Sequence, residues 1–476
     1  MHDATLWSPE RVLPLLPIME RWGYNALVLH ENDLLDEATQ LGLTANYGVS
    51  DLRLKKVRNR AAWLGELATR LERFGARLFI EIKEPSFHDY ALELYPELTG
   101  GVTADWPAFC RAKMVDLLAR VPGLGGVILN ISSPESRVSM PDEMAEGAAL
   151  DRGAFFDDMI AAFKDPLHAR GKDLWVRDFS YTADVQSDML SAVARAGVGA
   201  SVKITAHDYF PEYPENPVAQ GVAGPMILEF DAFGEHTGWD VIPNCRVAEF
   251  ARRMTRVREM GAAGILVRTS WEAIRGANAI DGSSAVNVYA LPRLLAGPEA
   301  PEALVAGWLG RDQGVEEMIA SAEIARASYW NACVFPRHSC LASSWQEAWL
   351  SMQSHGMGRR DRVVHVASDD PLLAQGEAVI ARSEAAVELA KDLAAKVTGM
   401  GEVFAGFRFL PTFARQFQIA QDGTAKIAQG ESAAAEAAQL EALADELEQI
   451  KGLPTRGRVL LDPAQARLFA GSLRGG

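Results

Sequence analysis

The sequence predicts an α/β protein: a TIM-type (β/α)8 barrel followed by an α-helical C-terminal domain. Short β-branched-rich runs recur between residues 24 and 269, each after a helical segment. Strand–helix alternation of that length implies a parallel sheet. Beyond about residue 298 the texture changes to Ala, Glu and Leu at helical spacing, with few strand candidates. The expected division is a barrel over residues 1–300 and a helical domain over 301–476.

The strand candidates are NALVLHE (25–31), RLFIEIK (77–83), GGVILNI (125–131), DLWVRDF (173–179), ASVKITA (200–206), PMILEFD (225–231) and GILVRT (264–269). Several are apolar on both faces, as parallel strands covered by helices should be. Glycine before the strand, in WGYNA, FGARL, VGASV and MGAAGI, marks a helix C-cap entering the next β unit. Amphipathic stretches at 58–75 and 245–261 supply crossover helices. Seven strands are plain. For the eighth, the sequence leaves three sources open: the extreme N-terminus, the region 286–291, or RGRVLLD (456–462). In the C-terminal part, residues 312–350, 374–398 and 424–451 read as helices, the longer ones paired in an intrachain bundle.

Hydrophobic content of 48%, charged content of 23% and 11 tryptophans describe a water-soluble globular chain. A net charge of −16 argues against a nucleic-acid partner, because phosphate binding needs a basic surface. Cys110, Cys245, Cys333 and Cys340 form no CxxC pair and no metal-ligand spacing, so free thiols are expected. The N-terminus has no basic segment followed by an apolar one, and no run of about 20 apolar residues occurs. A cytoplasmic protein with no membrane partner and no cofactor is the expectation. The Ala-rich helices after residue 300 offer a surface for a homodimer.

In barrel enzymes the site lies at the C-terminal ends of the strands. Reading those ends in order gives His30 and Glu31; Lys83 and Glu84; Asn130 and Glu135; Arg177 and Asp178; Lys203, His207 and Asp208; Glu229, Asp231 and Glu235; then Arg268 and Trp271. Strand ends meet solvent, so polar residues there are expected one by one. The set asks for more, because Lys203 and Glu229 lie within apolar runs, where charge is costly unless paired or functional. Glycosidic cleavage needs a protonated carboxyl at the leaving oxygen and a second carboxylate. Glu135 on one side, with Asp208 and Glu235 on the other, can supply them. Lys203 and Arg177 can balance that charge or hold a substrate carboxylate. Phe179, Tyr181, Tyr209, Phe210, Phe233, Trp239 and Trp271 offer faces for sugars to stack on.

Three segments resemble the catalytic barrel of glycoside hydrolase family 67, the α-glucuronidases: VPGLGGVILNISSPES (121–136), VKITAHDYFPEYPENPVAQGVAGPMILEFDAFGEHTG (202–238) and NVYALPRLLAGPEAPEALVAGW (287–308). The likeness covers roughly residues 20–310. It implies Glu135 as general acid, with a one-residue gap in register, and Asp208 and Glu235 as the carboxylates sharing the base role. It also implies Lys203 and Arg177 as ligands of a uronic carboxylate. An exo-acting, inverting release of a uronic acid from an oligosaccharide follows from that resemblance. The family's N-terminal domain and first strand have no counterpart here, and its loop after the acid is replaced by residues 137–153, where Arg137 could restore a lost positive group. His30, Glu31, His207 and Trp271 complete the expected substrate contacts.

Two other readings remain. LHEND (29–33) and the His207–Asp208 pair suit a metal-dependent sugar isomerase or amidohydrolase, although Lys203 would repel a cation near Asp208. A non-catalytic carbohydrate-binding barrel is the third, against which the retention of all three carboxylates stands. No GxSxG elbow occurs, and GLGG (123–126) precedes a strand rather than opening a helix, so neither a serine hydrolase nor a dinucleotide loop is indicated.

Overall fold

The computed structural model describes residues 2–3, 12–30, 38–39, 51–87, 91–99, 103–133, 151–180, 183–205, 209, 215–234, 245–270, 278–282 and 284–312, with 425–449 the longest stretch thereafter. The chain forms two compact units. One holds residues 1–208, 213–230 and 253–276; the other holds 209–212, 231–252 and 277–476.

The strands are β1 (His2–Asp3), β2 (Ala26–His30), β3 (Arg77–Lys83), β4 (Gly126–Asn130), β5 (Asp173–Arg177), β6 (Gly199–Lys203), β7 (Met226–Asp231) and β8 (Gly264–Arg268). They follow one another in sequence order around a closed α/β barrel. The seven runs expected as strands are β2 to β8. The eighth strand comes from the N-terminus: His2 pairs in parallel with Val28 of β2 and with Arg268 of β8. Of the other two sources, 286–291 lies inside a helix, and 456–462 lies outside the described residues.

Between the strands run α1 (Leu15–Trp22), α2 (Asp51–Glu72), α3 (Trp106–Arg120), α4 (Arg152–His168), α5 (Ala183–Ala196) and α6 (Val247–Glu259). The N-cap of α4 is Asp151, whose carboxylate accepts from the Ala154 amide at 3.1 Å. Such a cap is worth about 1 kcal/mol, because it satisfies one orphan donor of the first turn. Gly23, Gly75 and Gly261 take positive φ at helix ends, as the glycine pattern predicted. In VGASV the left-handed residue is Gly197, just before that segment. Gly199 has a different task. A Cβ there would stand 2.2 Å from the Trp175 ring, so the missing side chain is what admits the indole.

The pleat sorts each strand into two faces. Leu27, Leu29, Leu78, Ile80, Val127, Leu129, Val176, Val202 and Leu228 are all buried apolar residues of one parity. The other parity begins with Val28, Phe79, Ile128 and Leu266, packed together with Ala26, Trp175 and Ile227. Those side chains come from strands all round the barrel and meet one another, so this second set fills the interior. Burying each of the larger ones contributes about 1.5–3 kcal/mol.

The second unit contains α7 (Ala285–Ala296), α8 (Pro301–Leu309) and α9 (Ala434–Gln449). The helix expected over 424–451 is realised in α9. The stretches 321–350 and 374–398 fall almost wholly outside the described residues. Asn287 accepts from the Arg246 amide at 2.8 Å and donates to the Ala232 carbonyl at 3.3 Å, tying α7 to the segment after β7. Cys110 and Cys245 are buried free thiols, and burial pushes the Cys245 thiol up to about 12. Cys333 and Cys340 lie outside the described residues. Among the described residues no helix is long and apolar enough to cross a membrane.

Candidate active site

Two residues further along each strand, the interior changes character. Val28 is followed by His30, Phe79 by Glu81, Ile128 by Asn130, Trp175 by Arg177, Ile227 by Glu229 and Leu266 by Arg268. All six of these polar side chains are buried. The barrel therefore has an apolar floor with a polar layer directly above it, toward the C-terminal ends of the strands.

The centre of the polar layer is an ion network. Arg177 Nε donates to both oxygens of Glu229, at 2.9 and 3.0 Å, and its Nη2 adds a bond of 2.9 Å. Ser201 on β6 donates to the same carboxylate at 2.6 Å. On its other side, Arg177 Nη1 stands 3.1 Å from Oε1 of Glu81, which is itself 3.0 Å from Nδ1 of His30. Neither approach to Glu81 has the alignment of a hydrogen bond, and the one from Arg177 is an ion-pair contact. Strands β3, β5 and β7 are not neighbours, and their side chains can meet only across the interior. Burial alone would raise the Glu229 carboxyl above its ordinary range. The Arg177 charge and hydrogen bonds outweigh that, with Ser201 helping and Glu81 opposing, and hold it below that range. Glu229 is a carboxylate in the folded protein.

Above the network lies Phe179, two residues beyond Arg177. Three cations surround its ring: Lys203 Nζ at 4.4 Å, the Arg177 guanidinium carbon at 5.0 Å and Lys83 Nζ at 5.3 Å. They come from β6, β5 and β3, and all three are buried. Each cation gains about 0.5–2 kcal/mol from a ring face at such distances. Arg177 is at the same time paired with Glu229, and the Lys203 charge acts on the Asp178 carboxyl. Asp178 turns the other way: its carboxylate accepts from the Ser180 amide at 3.2 Å and from Gln186 on α5. Burial raises the Asp178 carboxyl above its ordinary range, against those bonds and the Lys203 charge.

Glu84, read from the sequence as part of the strand-end ring, also turns away from the interior. Lys113 on α3 meets its two oxygens at 3.0 and 2.9 Å and the Ser86 carbonyl at 2.6 Å. Ser86 donates to Glu84 through its amide and its hydroxyl, and Cys110 contributes its thiol at 3.4 Å. This closed, charge-balanced cluster fastens the turn after β3 to α3. Asp231 in the second unit shapes its own loop as well, accepting from the amides of Phe233 and Gly234 at 3.1 Å.

Of the expected site residues, the structure places His30 and Arg177 in the polar layer and Lys203 beside Phe179 above it. Glu31, Glu135, Arg137, His207, Asp208, Glu235 and Trp271 lie outside the described residues. Sequence reading missed Glu81. The signal was there, since Glu81 interrupts the apolar run RLFIEIK just as Glu229 interrupts MILEF. Among the described residues no group of three or more His, Cys, Asp or Glu side chains is arranged to hold a metal ion.

No family model matches the chain, and no curated protein matches its sequence. Solved structures do. A GH138 enzyme targeting pectin rhamnogalacturonan II superposes with a TM-score of 0.61 at 12% identity, over 98% of this chain and 63% of that one. A family 5 glycoside hydrolase from Prevotella bryantii B14, solved with a xyloglucan tetradecasaccharide, gives 0.39 at 10% identity, over 60% of this chain and 87% of that one. A D-psicose 3-epimerase gives 0.35 at 11%, over 62% and 96%. This chain thus spans under two thirds of the GH138 enzyme's length, and at such identity the likeness establishes the shared α/β barrel fold.

Proposed function

We propose that this chain is a glycoside hydrolase acting on an acidic saccharide, with α-glucuronidase-like, exo-acting and inverting chemistry. One observation carries the reading: Lys83, Arg177 and Lys203 gather around Phe179 at the C-terminal ends of the barrel strands. Buried cations from three strands, Arg177 among them while also paired with Glu229, give that end of the barrel a positive character that suits a negatively charged substrate. The ring they share suits the apolar face of a sugar. Glu135 is assigned as the general acid, following the resemblance to family 67. Asp208 and Glu235 are assigned to the water on the opposite face, where an inverting enzyme keeps its carboxylates roughly 6.5–9.5 Å apart. Glu31, His30, His207, Arg137 and Trp271 remain assigned to substrate contacts.

A panel of aryl glycosides, uronylated oligosaccharides and rhamnogalacturonan II fragments tests this, the last because the GH138 neighbour targets that polysaccharide. The expected result is release of a uronic acid. Glu135→Gln should then lower kcat by about 100-fold or more while leaving KM close to that of the wild type, since it removes only the proton donor. Wild-type turnover in that variant removes the assignment. Chelator-sensitive interconversion of free sugars, without hydrolysis, replaces the reading with a metal-dependent isomerase.

A further inference from the structure

Asn130 is the last residue of β4, two positions beyond Ile128 in the apolar floor, and its side chain is fully buried. Among the described residues, neither its Oδ1 nor its Nδ2 has a hydrogen-bond partner. Ser132, also fully buried, has an unpartnered Oγ just beyond it. A buried amide with both ends unmet is costly, and a leucine of similar volume would fill the space without that cost. Such groups are met by ordered water or by a ligand that enters the site.

The surroundings say what that is. Asn130 is paired in register with Lys83 on β3. Lys83 reaches Phe179, which follows β5, so Asn130 stands on the strand between those two residues. A carboxylate could use only Nδ2 and would leave Oδ1 unmet, and Lys83, Arg177 and Lys203 are better placed to take that charge. A hydroxyl both donates and accepts, so a pair of neighbouring hydroxyls satisfies both ends of the amide.

We infer that Asn130, assisted by Ser132, is a specificity-determining residue that hydrogen-bonds two adjacent hydroxyls of a sugar whose acidic group lies against the Lys83–Arg177–Lys203 cluster. This rests on the glycosidase reading above and names the part of the substrate that the cations do not touch.

Calorimetric titration of the full chain with D-glucuronic acid, D-galacturonic acid, D-glucose and D-xylose tests it. For the sugar that binds most tightly, Asn130→Ala should weaken binding about tenfold to a hundredfold, as the loss of two hydrogen bonds implies. Ser132→Ala should weaken it less. A deoxy analogue lacking one contacted hydroxyl should bind the wild type more weakly, yet lose little more on going to Asn130→Ala. In the sugar-free protein, Asn130→Leu should have a denaturation midpoint no lower than the wild type. Unchanged affinity in Asn130→Ala overturns the inference, as does a lowered midpoint in Asn130→Leu with affinity intact, which marks a structural amide. Sugar binding that depends on Asn130, in a protein that cleaves no glycoside, upholds the inference while the hydrolase reading fails. If none of the four sugars binds, both fall.

Discussion

Two layers of the barrel interior, separated by only two residues along each strand, have opposite chemistry. The lower one, Val28, Phe79, Ile128, Trp175, Ile227 and Leu266, is an apolar floor, with Trp175 and Ile227 only partly buried. The upper one, His30, Glu81, Asn130, Arg177, Glu229 and Arg268, is buried throughout and carries an ionisable or amide side chain at every position. Packing alone explains the first and cannot explain the second, because buried ion networks seldom out-stabilise apolar replacements of equal volume. The comparison separates what holds this barrel together from what the proposed function would use. A third region sharpens it: Glu84 and Lys113 are as buried as Arg177 and Glu229, but their partners are complete and lie between the sheet and α3. Burial of charge marks a function only where the charges face a shared hollow.

The largest effect on stability should come from the floor. Phe79→Ala should cost about 3–5 kcal/mol in denaturant unfolding, because it opens a cavity in that cluster, while the folded fraction keeps its wild-type turnover. A loss of turnover out of proportion to folding would erase the distinction between layers. Arg177→Lys should act the other way. It keeps the charge but loses the paired bonds to Glu229, costing about 1.5–3 kcal/mol. Turnover per folded molecule should fall as well, since the guanidinium also lies against Phe179. If only stability changes, Arg177 belongs with the structural pairs.

The smallest effects are in pH dependence, and two carboxyls should move it in opposite senses. Glu229 is held below its ordinary range by Arg177, so its contribution is full above the unfolded value and is lost as pH falls through the lowered folded value. Glu229→Gln should remove that acid-side dependence. Asp178 is raised by burial, so ionising it costs the folded state, and stability declines as pH rises from its unfolded value through the raised one. Asp178→Asn should abolish that decline. Unfolding curves measured across the acid and neutral range read both, and identical profiles for the two variants would contradict these environments.

Much of the barrel was legible because strand periodicity is a local property. Runs such as RLFIEIK and MILEFD alternate between a face that packs under helices and a face that fills the interior, and both faces can be read from the letters. The eighth strand was not legible in that way. Two residues, His2 and Asp3, carry no period, and only their backbone pairing with Val28 and Arg268 identifies them.

The chain's own order of residues determined that charges would sit inside apolar runs, at Glu81, Lys83, Arg177, Lys203 and Glu229. Only the closed sheet decided which of them meet. Arg177 and Glu229 are 52 residues apart and become a bonded pair because curvature brings β5 and β7 to face one another. Glu84, one residue past Lys83, falls on the opposite side of the sheet and joins Lys113 instead. A pleated strand sends successive side chains to opposite faces, so neighbours in the sequence part company and residues far apart in it share a site.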